Sequence, residues 1–135
     1  PTVPMQLVME LMKELHSKYG IKRQQVYVMG LSMGGMGTFE LVNRMPQTFA
    51  AAIPICGGAN TAIAANLKET KWWVFHGGKD DIVLPRYSEE MVAAMKKNKV
   101  NVKFTLFPDA NHNSWDATFA QPGLLNWLFS QRRSL

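Results

Sequence analysis

At 135 residues, with 47% apolar and 19% charged content, the chain has the composition of one globular domain with a sizeable core, and it is too short for two. That composition excludes a disordered segment, and no apolar run approaches the ~20 residues that cross a bilayer, so no membrane partner is expected. The net charge of +5 comes from small dispersed groups such as Lys96, Lys97 and Lys99, or Arg132 and Arg133. These fall where predicted helices end and complement their dipoles, so no nucleic-acid partner is expected either.

Residues 4–19 carry Met5, Val8, Leu11, Met12, Leu15 and Tyr19 at helical spacing, with Pro4 in the first turn and Gly20 as a C-cap. This pattern predicts an amphipathic helix, with His16 a solvated side chain beside its apolar stripe. Gln25 to Leu31 reads as the first strand, continuously apolar after its start, as in a strand covered on both faces. It runs into Gly30-Leu31-Ser32-Met33-Gly34, and a helical pattern then continues from Met33 to about Met45, where Pro46 forbids continuation. Strand, Gly-x-Ser-x-Gly turn and helix in that order form a nucleophile elbow. The glycines let strand and helix approach closely while the turn holds the Ser32 hydroxyl out at the top of a sheet. The Met33 amide, at the positive end of the helix, is the expected donor to an oxyanion forming beside the serine. A glycine-rich turn in an ordinary α/β protein carries the same pattern, so the motif needs partners.

Ala50 to Cys56 reads as the second strand, ending in Gly57-Gly58. The single cysteine forms no intrachain disulfide and reads as a buried structural thiol, which leaves the cellular compartment open. The alanine-rich residues 59–69 suggest a short helix, and Trp72 to Phe75 a third strand followed by His76-Gly77-Gly78-Lys79-Asp80-Asp81. A helix starts near Pro85, with Glu89 and Glu90 early and Lys96 and Lys97 late, in agreement with its dipole. Val102 to Phe107 alternates as a fourth strand, and the loop with Asn111-His112-Asn113-Ser114-Trp115 follows it. Leu124 to Phe129 anchors a C-terminal helix.

A nucleophilic serine needs a base, and the base needs a carboxylate to fix its tautomer. Ser32, Asp80 and His112 supply these in the chain order Ser, Asp, His, each just beyond the C-terminal end of a predicted strand. His76 reads as a turn feature, because one base suffices and His112 is better placed. His76, Asp80 and His112 could meet over the sheet, yet the histidines are too scattered for metal spacing, and neither a metal nor a cofactor is expected. Four strands joined by helices imply an α/β fold with a parallel sheet.

From about Val26 onward the sequence resembles the catalytic C-terminal half of an α/β-hydrolase of the bacterial carboxylesterase, feruloyl or acetyl-xylan esterase and polyhydroxybutyrate-depolymerase-like group. The motifs that carry the resemblance are Val-Met-Gly-Leu-Ser-Met-Gly-Gly at 28–35, Ala-Ala-Ile-Pro-Ile-Cys-Gly-Gly at 51–58, Phe-His-Gly-Gly-Lys-Asp-Asp-Ile-Val at 75–83 and Asn-His-Asn-Ser-Trp at 111–115. The family's His-Gly-x-x-Asp pattern implies Asp80 as the carboxylate, with Asp81 as the fallback. The implied chemistry is hydrolysis of a small carboxylic ester. Trp115 is either an aromatic wall of the substrate pocket or an edge of the core, and the Met33 side chain a pocket lining. In that family an N-terminal half adds strands beside the elbow strand and a second oxyanion donor, and nothing before Gly20 matches it. The resemblance therefore implies a single domain, residues 1–135, truncated at its N-terminus. Its edge strand 25–31 would pair with a second copy or with the missing half. A thioesterase or peptidase would use the same triad, and a non-catalytic association module would keep the elbow alone.

Overall fold

The computed structural model describes all 135 residues. The elements in chain order are helix α1 (Val3–Lys18), strand β1 (Tyr27–Leu31), helix α2 (Met33–Arg44), strand β2 (Ala51–Ile55), a 3-10 segment (Thr61–Leu67), strand β3 (Lys71–Gly77), helix α3 (Arg86–Lys97), strand β4 (Val102–Phe107), and helices α4 (Trp115–Phe119) and α5 (Leu124–Ser130). The strands form one sheet in the order β1, β2, β3, β4, and all three pairings are parallel, as expected from the sequence. Consecutive parallel neighbours bring the C-terminal ends of all four strands to one edge, where the loops after them converge.

Alternating side chains of the strands divide two cores between the faces of the sheet. On one face Ala52, Trp72 and Val74 join Phe39, Leu41 and Val42 of α2 and Met91, Val92 and Met95 of α3. Trp72 stacks on Phe39 at 5.0 Å between ring centroids, and its indole N–H donates to the Leu67 carbonyl, so its one polar atom is satisfied inside the core. On the other face Ala51, Ile53, Ile55, Trp73 and Phe75 meet Leu124 and Leu128 of α5. Every residue of β2 is buried, which explains its unbroken apolar run.

Several boundaries differ from the sequence reading, each for a physical reason. The first strand begins at Tyr27 because Gln25 is held in a turn by its N–H bond to the Lys22 carbonyl. Tyr19, in extended conformation, caps α1 in place of Gly20, and Thr2 accepts from Met5 N–H at the other end. The alanine-rich segment is 3-10, started by the Asn60 side chain accepting from Ala62 N–H. The larger departure is in α1, which buries no residue at all. Met5, Met9 and Met12 rest on the first core, whereas Leu7, Val8, Leu11, Leu15 and Tyr19 stay exposed. Val8, Leu15, Ile21, Val26 and Tyr27 line an apolar groove of about 300 Å³ beside β1.

The elbow depends on a contact between backbones. A Cβ at Gly30 would lie 2.2 Å from the Gly34 carbonyl oxygen, whereas one at Gly34 would meet nothing within 4 Å. Gly30→Ala is therefore expected to cost about 3 kcal/mol or more, as for severe overpacking. Gly34→Ala should be neutral or stabilise by up to ~1 kcal/mol, because alanine is the better helix former. Urea unfolding of the two variants checks the contrast.

Candidate active site

The site lies at the C-terminal edge of the sheet. Ser32 follows β1 with a positive φ of 55°, a conformation that L residues adopt only under constraint. Its N–H donates to the Ile55 carbonyl of the neighbouring strand, and its carbonyl accepts from Gly35 and Met36 N–H, so strand and helix hold the turn from both sides. The Met33 amide opens α2 and has no intrahelical acceptor. The Met33 side chain is 82% exposed and points into solvent at the rim.

The loops after β3 and β4 pack against one another. A Cβ at Gly77 would fall 2.4 Å from the Asn111 carbonyl oxygen, and Lys79 N–H donates to the Ala110 carbonyl. This closeness brings His112 to Asp80. The Ser32 hydroxyl and His112 Nε2 are 2.9 Å apart, and His112 Nδ1–H donates to Asp80 Oδ2 at 2.8 Å. With that proton on Nδ1, Nε2 is the acceptor for the serine hydroxyl. The His112 ring meets Trp115 edge to face at 5.5 Å between centroids, and Trp115 also packs on the second core. Its ring thus holds the imidazole from the side.

Asp80 is buried, and its carboxylate is fully occupied. Oδ1 accepts from the N–H groups of Ile82 and Val83, and Oδ2 accepts from His112. Burial pushes its pKa up. The hydrogen bonds from His112, Val83 and Ile82, together with the attraction of His112, outweigh it and leave the carboxyl below its ordinary value. Asp81 makes no such contacts and is exposed, so the carboxylate beside His112 is Asp80.

Two further groups at the site were not legible in the sequence. His76 is fully buried, donates from Nε2 to the Val83 carbonyl at 2.7 Å and stands 3.3 Å from Asp80 Oδ2. Because a carbonyl only accepts, the proton is on Nε2. Nδ1 then accepts from the Ser88 hydroxyl at 2.7 Å. His76 thus braces the Asp80 loop against α3 and does not reach Ser32 as a base. The second is Cys56, which follows β2 with a positive φ of 44° and is buried. Burial raises its thiol pKa, the Asp80 charge raises it further, and contacts with Ser32 N–H and the Ser114 hydroxyl oppose both in part.

The model of the Dienelactone hydrolase family matches residues 5–120. Over 79 residues, 58% of this chain, the sequence is 30% identical to the bifunctional acetylxylan esterase/xylanase XynS20E of Neocallimastix patriciarum, of which it spans 12%. The crystal structure of a thermostable esterase superposes with a TM-score of 0.93 and 33% identity over 98% of this chain and 38% of that one. The acylaminoacyl peptidase of Pyrococcus horikoshii shares the fold, with a TM-score of 0.74 and 14% identity over 84% of this chain and 24% of that one. The chain therefore has the α/β-hydrolase fold and spans well under half the length of these relatives.

The depressed Asp80 pKa has a consequence for stability. The ionised carboxylate stabilises the folded state above its unfolded value of about 3.9, and that contribution is lost as the pH falls through the lower folded value. Asp80→Asn should therefore be less stable than the parent chain at pH 7, and the gap should narrow as the pH is lowered through ~4 toward ~2. Urea unfolding across that range measures it.

Proposed function

We propose that this chain, which belongs to the dienelactone hydrolase family, hydrolyses carboxylic esters through an acyl-enzyme on Ser32. The observation that carries the reading is the continuous series from the Ser32 hydroxyl through His112 to the buried Asp80 carboxylate. In this mechanism Ser32 Oγ attacks the ester carbonyl while His112 Nε2 takes the serine proton. Asp80 holds the Nδ1–H tautomer and stabilises the imidazolium that forms. The Met33 amide donates to the oxyanion, and collapse of the tetrahedral intermediate expels the alcohol with the proton returned by His112. A water activated by His112 then releases the acid. The two esterase relatives support an ester substrate over a thioester or a peptide. Neither a metal nor a cofactor has a part in these steps.

Ser32→Ala and His112→Ala should each lower hydrolysis of a short-chain aryl ester by at least about a thousandfold, because the side chains act as a unit. A fluorophosphonate should label Ser32 in the parent chain and not in the His112→Ala variant, read by intact mass. Unchanged turnover in either variant would overturn the assignment. Folded protein with neither labelling nor turnover would favour a non-catalytic association module.

The function extends to a partner strand on β1. Val26 and Ser32 bond to β2 through their backbones, so in a parallel ladder Tyr27, Met29 and Leu31 direct their peptide groups away from the sheet. That edge adjoins the apolar groove under α1 and carries no proline or inward charge to protect it. The strand proposed to cover it is supplied by a second copy of the chain or by further polypeptide of the kind the longer relatives carry. The isolated chain should therefore associate through this edge and grow in size with concentration in light scattering, whereas a monomer at all concentrations would refute the pairing.

A further inference from the structure

Cys56 stands behind the hydrogen-bonded series and has no part in the reaction described. Its sulfur, an Asp80 carboxylate oxygen and a His112 ring nitrogen all lie within 4.8 Å of one another. The backbone conformation there suits glycine, yet the residue is a cysteine, and all of its side chain is buried. A second observation points into the same space. The Ser114 hydroxyl is 1% exposed, lies against the Cys56 thiol and has no other hydrogen-bond partner. One thiol, one imidazole, one carboxylate and one hydroxyl with no partner but the thiol thus converge behind Ser32. This mixed sulfur, nitrogen and oxygen set is the kind that thiophilic divalent cations take.

We propose that Cys56, Asp80 and His112, with Ser114 beside them, form an inhibitory site for a thiophilic divalent cation such as Zn²⁺ or Cd²⁺. Tetrahedral zinc with one sulfur and lighter donors holds its ligand atoms about 3.4–3.6 Å apart, so the Asp80–His112 pair, now 2.8 Å apart, opens and the sulfur approaches, each by about 1 Å. The cation enters from the His112 side, where the imidazole is the only one of the three ligands that reaches solvent.

Binding and inhibition then follow from proton accounting. Nδ1 of His112 gives its lone pair to the metal, and the ring proton moves to Nε2. The Cys56 thiol loses one proton to solvent as its thiolate bonds the ion, and Asp80 exchanges its bond from His112 for the cation. With the proton on Nε2, His112 donates toward Ser32 Oγ and can no longer accept its proton, so the nucleophile is not activated. The cation is a reversible inhibitor and not a resident cofactor. The inhibition rests on the esterase reading above, whereas the binding does not.

Binding is therefore tested in the Ser32→Ala variant, where catalysis is already absent. Titration with Cd²⁺ should raise the ultraviolet thiolate-to-cadmium charge-transfer band to saturation at one ion per chain, and Zn²⁺ should compete it away. Cys56→Ala, and Cys56→Gly, which fits the positive φ, should each abolish the band while retaining the parent circular dichroism. His112→Ala should weaken binding by at least about tenfold. In the parent chain Zn²⁺ should suppress ester hydrolysis, a chelator should restore it, and both Cys56 variants should resist. No band, or a band unaffected by His112→Ala, overturns the site, as does inhibition that persists without Cys56. A saturable band in a folded chain whose Ser32 takes no fluorophosphonate and which hydrolyses no ester would sink the esterase reading and leave the metal site standing.

Discussion

The buried carboxylate of Asp80 is the interaction on which the site depends. It is reached by three separate stretches of chain: its own loop through the Ile82 and Val83 amides, the loop after β4 through His112, and the end of β3 through His76. Burying an ion is unfavourable unless its oxygens are satisfied, and here the hydrogen bonds outweigh the burial. Removing the carboxylate altogether would leave the two amides and the imidazole N–H without their acceptor inside the protein. The loops after β3 and β4 are thus held together largely by one anion, and the geometry at Ser32 inherits its accuracy from that arrangement. His76 extends the same network to Ser88 of α3, so the carboxylate loop is supported from outside the sheet as well.

Strain at the sheet edge is the second constraint. Ser32 and Cys56 end adjacent strands, and both have positive φ. A non-glycine residue in such a conformation costs of order 1–3 kcal/mol and persists only where its surroundings over-determine it. Both have backbone anchors of that kind: Ser32 N–H bonds to the Ile55 carbonyl, and Cys56 N–H bonds to the Phe75 carbonyl. The stagger carries each strained residue onto the next strand inward, toward the buried centre of the sheet. The two strained side chains face the same histidine from different directions, which is why the thiol lies within reach of the charge-bearing groups at all.

What could be read from the sequence follows from how local each requirement is. Gly-x-Ser-x-Gly states a local demand, because Gly30 must admit the backbone of Gly34 and no other residue fits. Apolar runs likewise marked the first three strands, and alternation marked the fourth. The parts that stayed hidden depend on distant chain. Cys56 looks like core in an apolar run, since nothing in the residues beside it records a left-handed backbone or a neighbouring carboxylate. His76 precedes Asp80 by four positions, and only the folded loop shows that its ring turns back to the carboxylate. The five-residue α4 is too short to show a period. In α1 the spacing identified an apolar face, but periodicity does not say whether anything covers that face.

The uncovered face and the proposed nucleophile meet on one strand, and this sets the support that Ser32 receives. Inner strands are held by ladders on both sides, whereas β1, an edge strand like β4, has a ladder to β2 alone. On its other side lie the outward peptide groups of Tyr27, Met29 and Leu31 and the exposed stripe of α1, with Leu7 and Leu11 more than half exposed. The elbow turn is therefore rigid toward the core and soft toward the open edge. A strand added there would pair these peptide groups, bury the apolar residues of the groove and restrict β1 in the direction in which Ser32 is least restrained. Because a displacement of about 1 Å at a reacting atom costs on the order of a hundredfold in rate, covering that edge would act on the proposed hydrolysis at Ser32 as well as on stability.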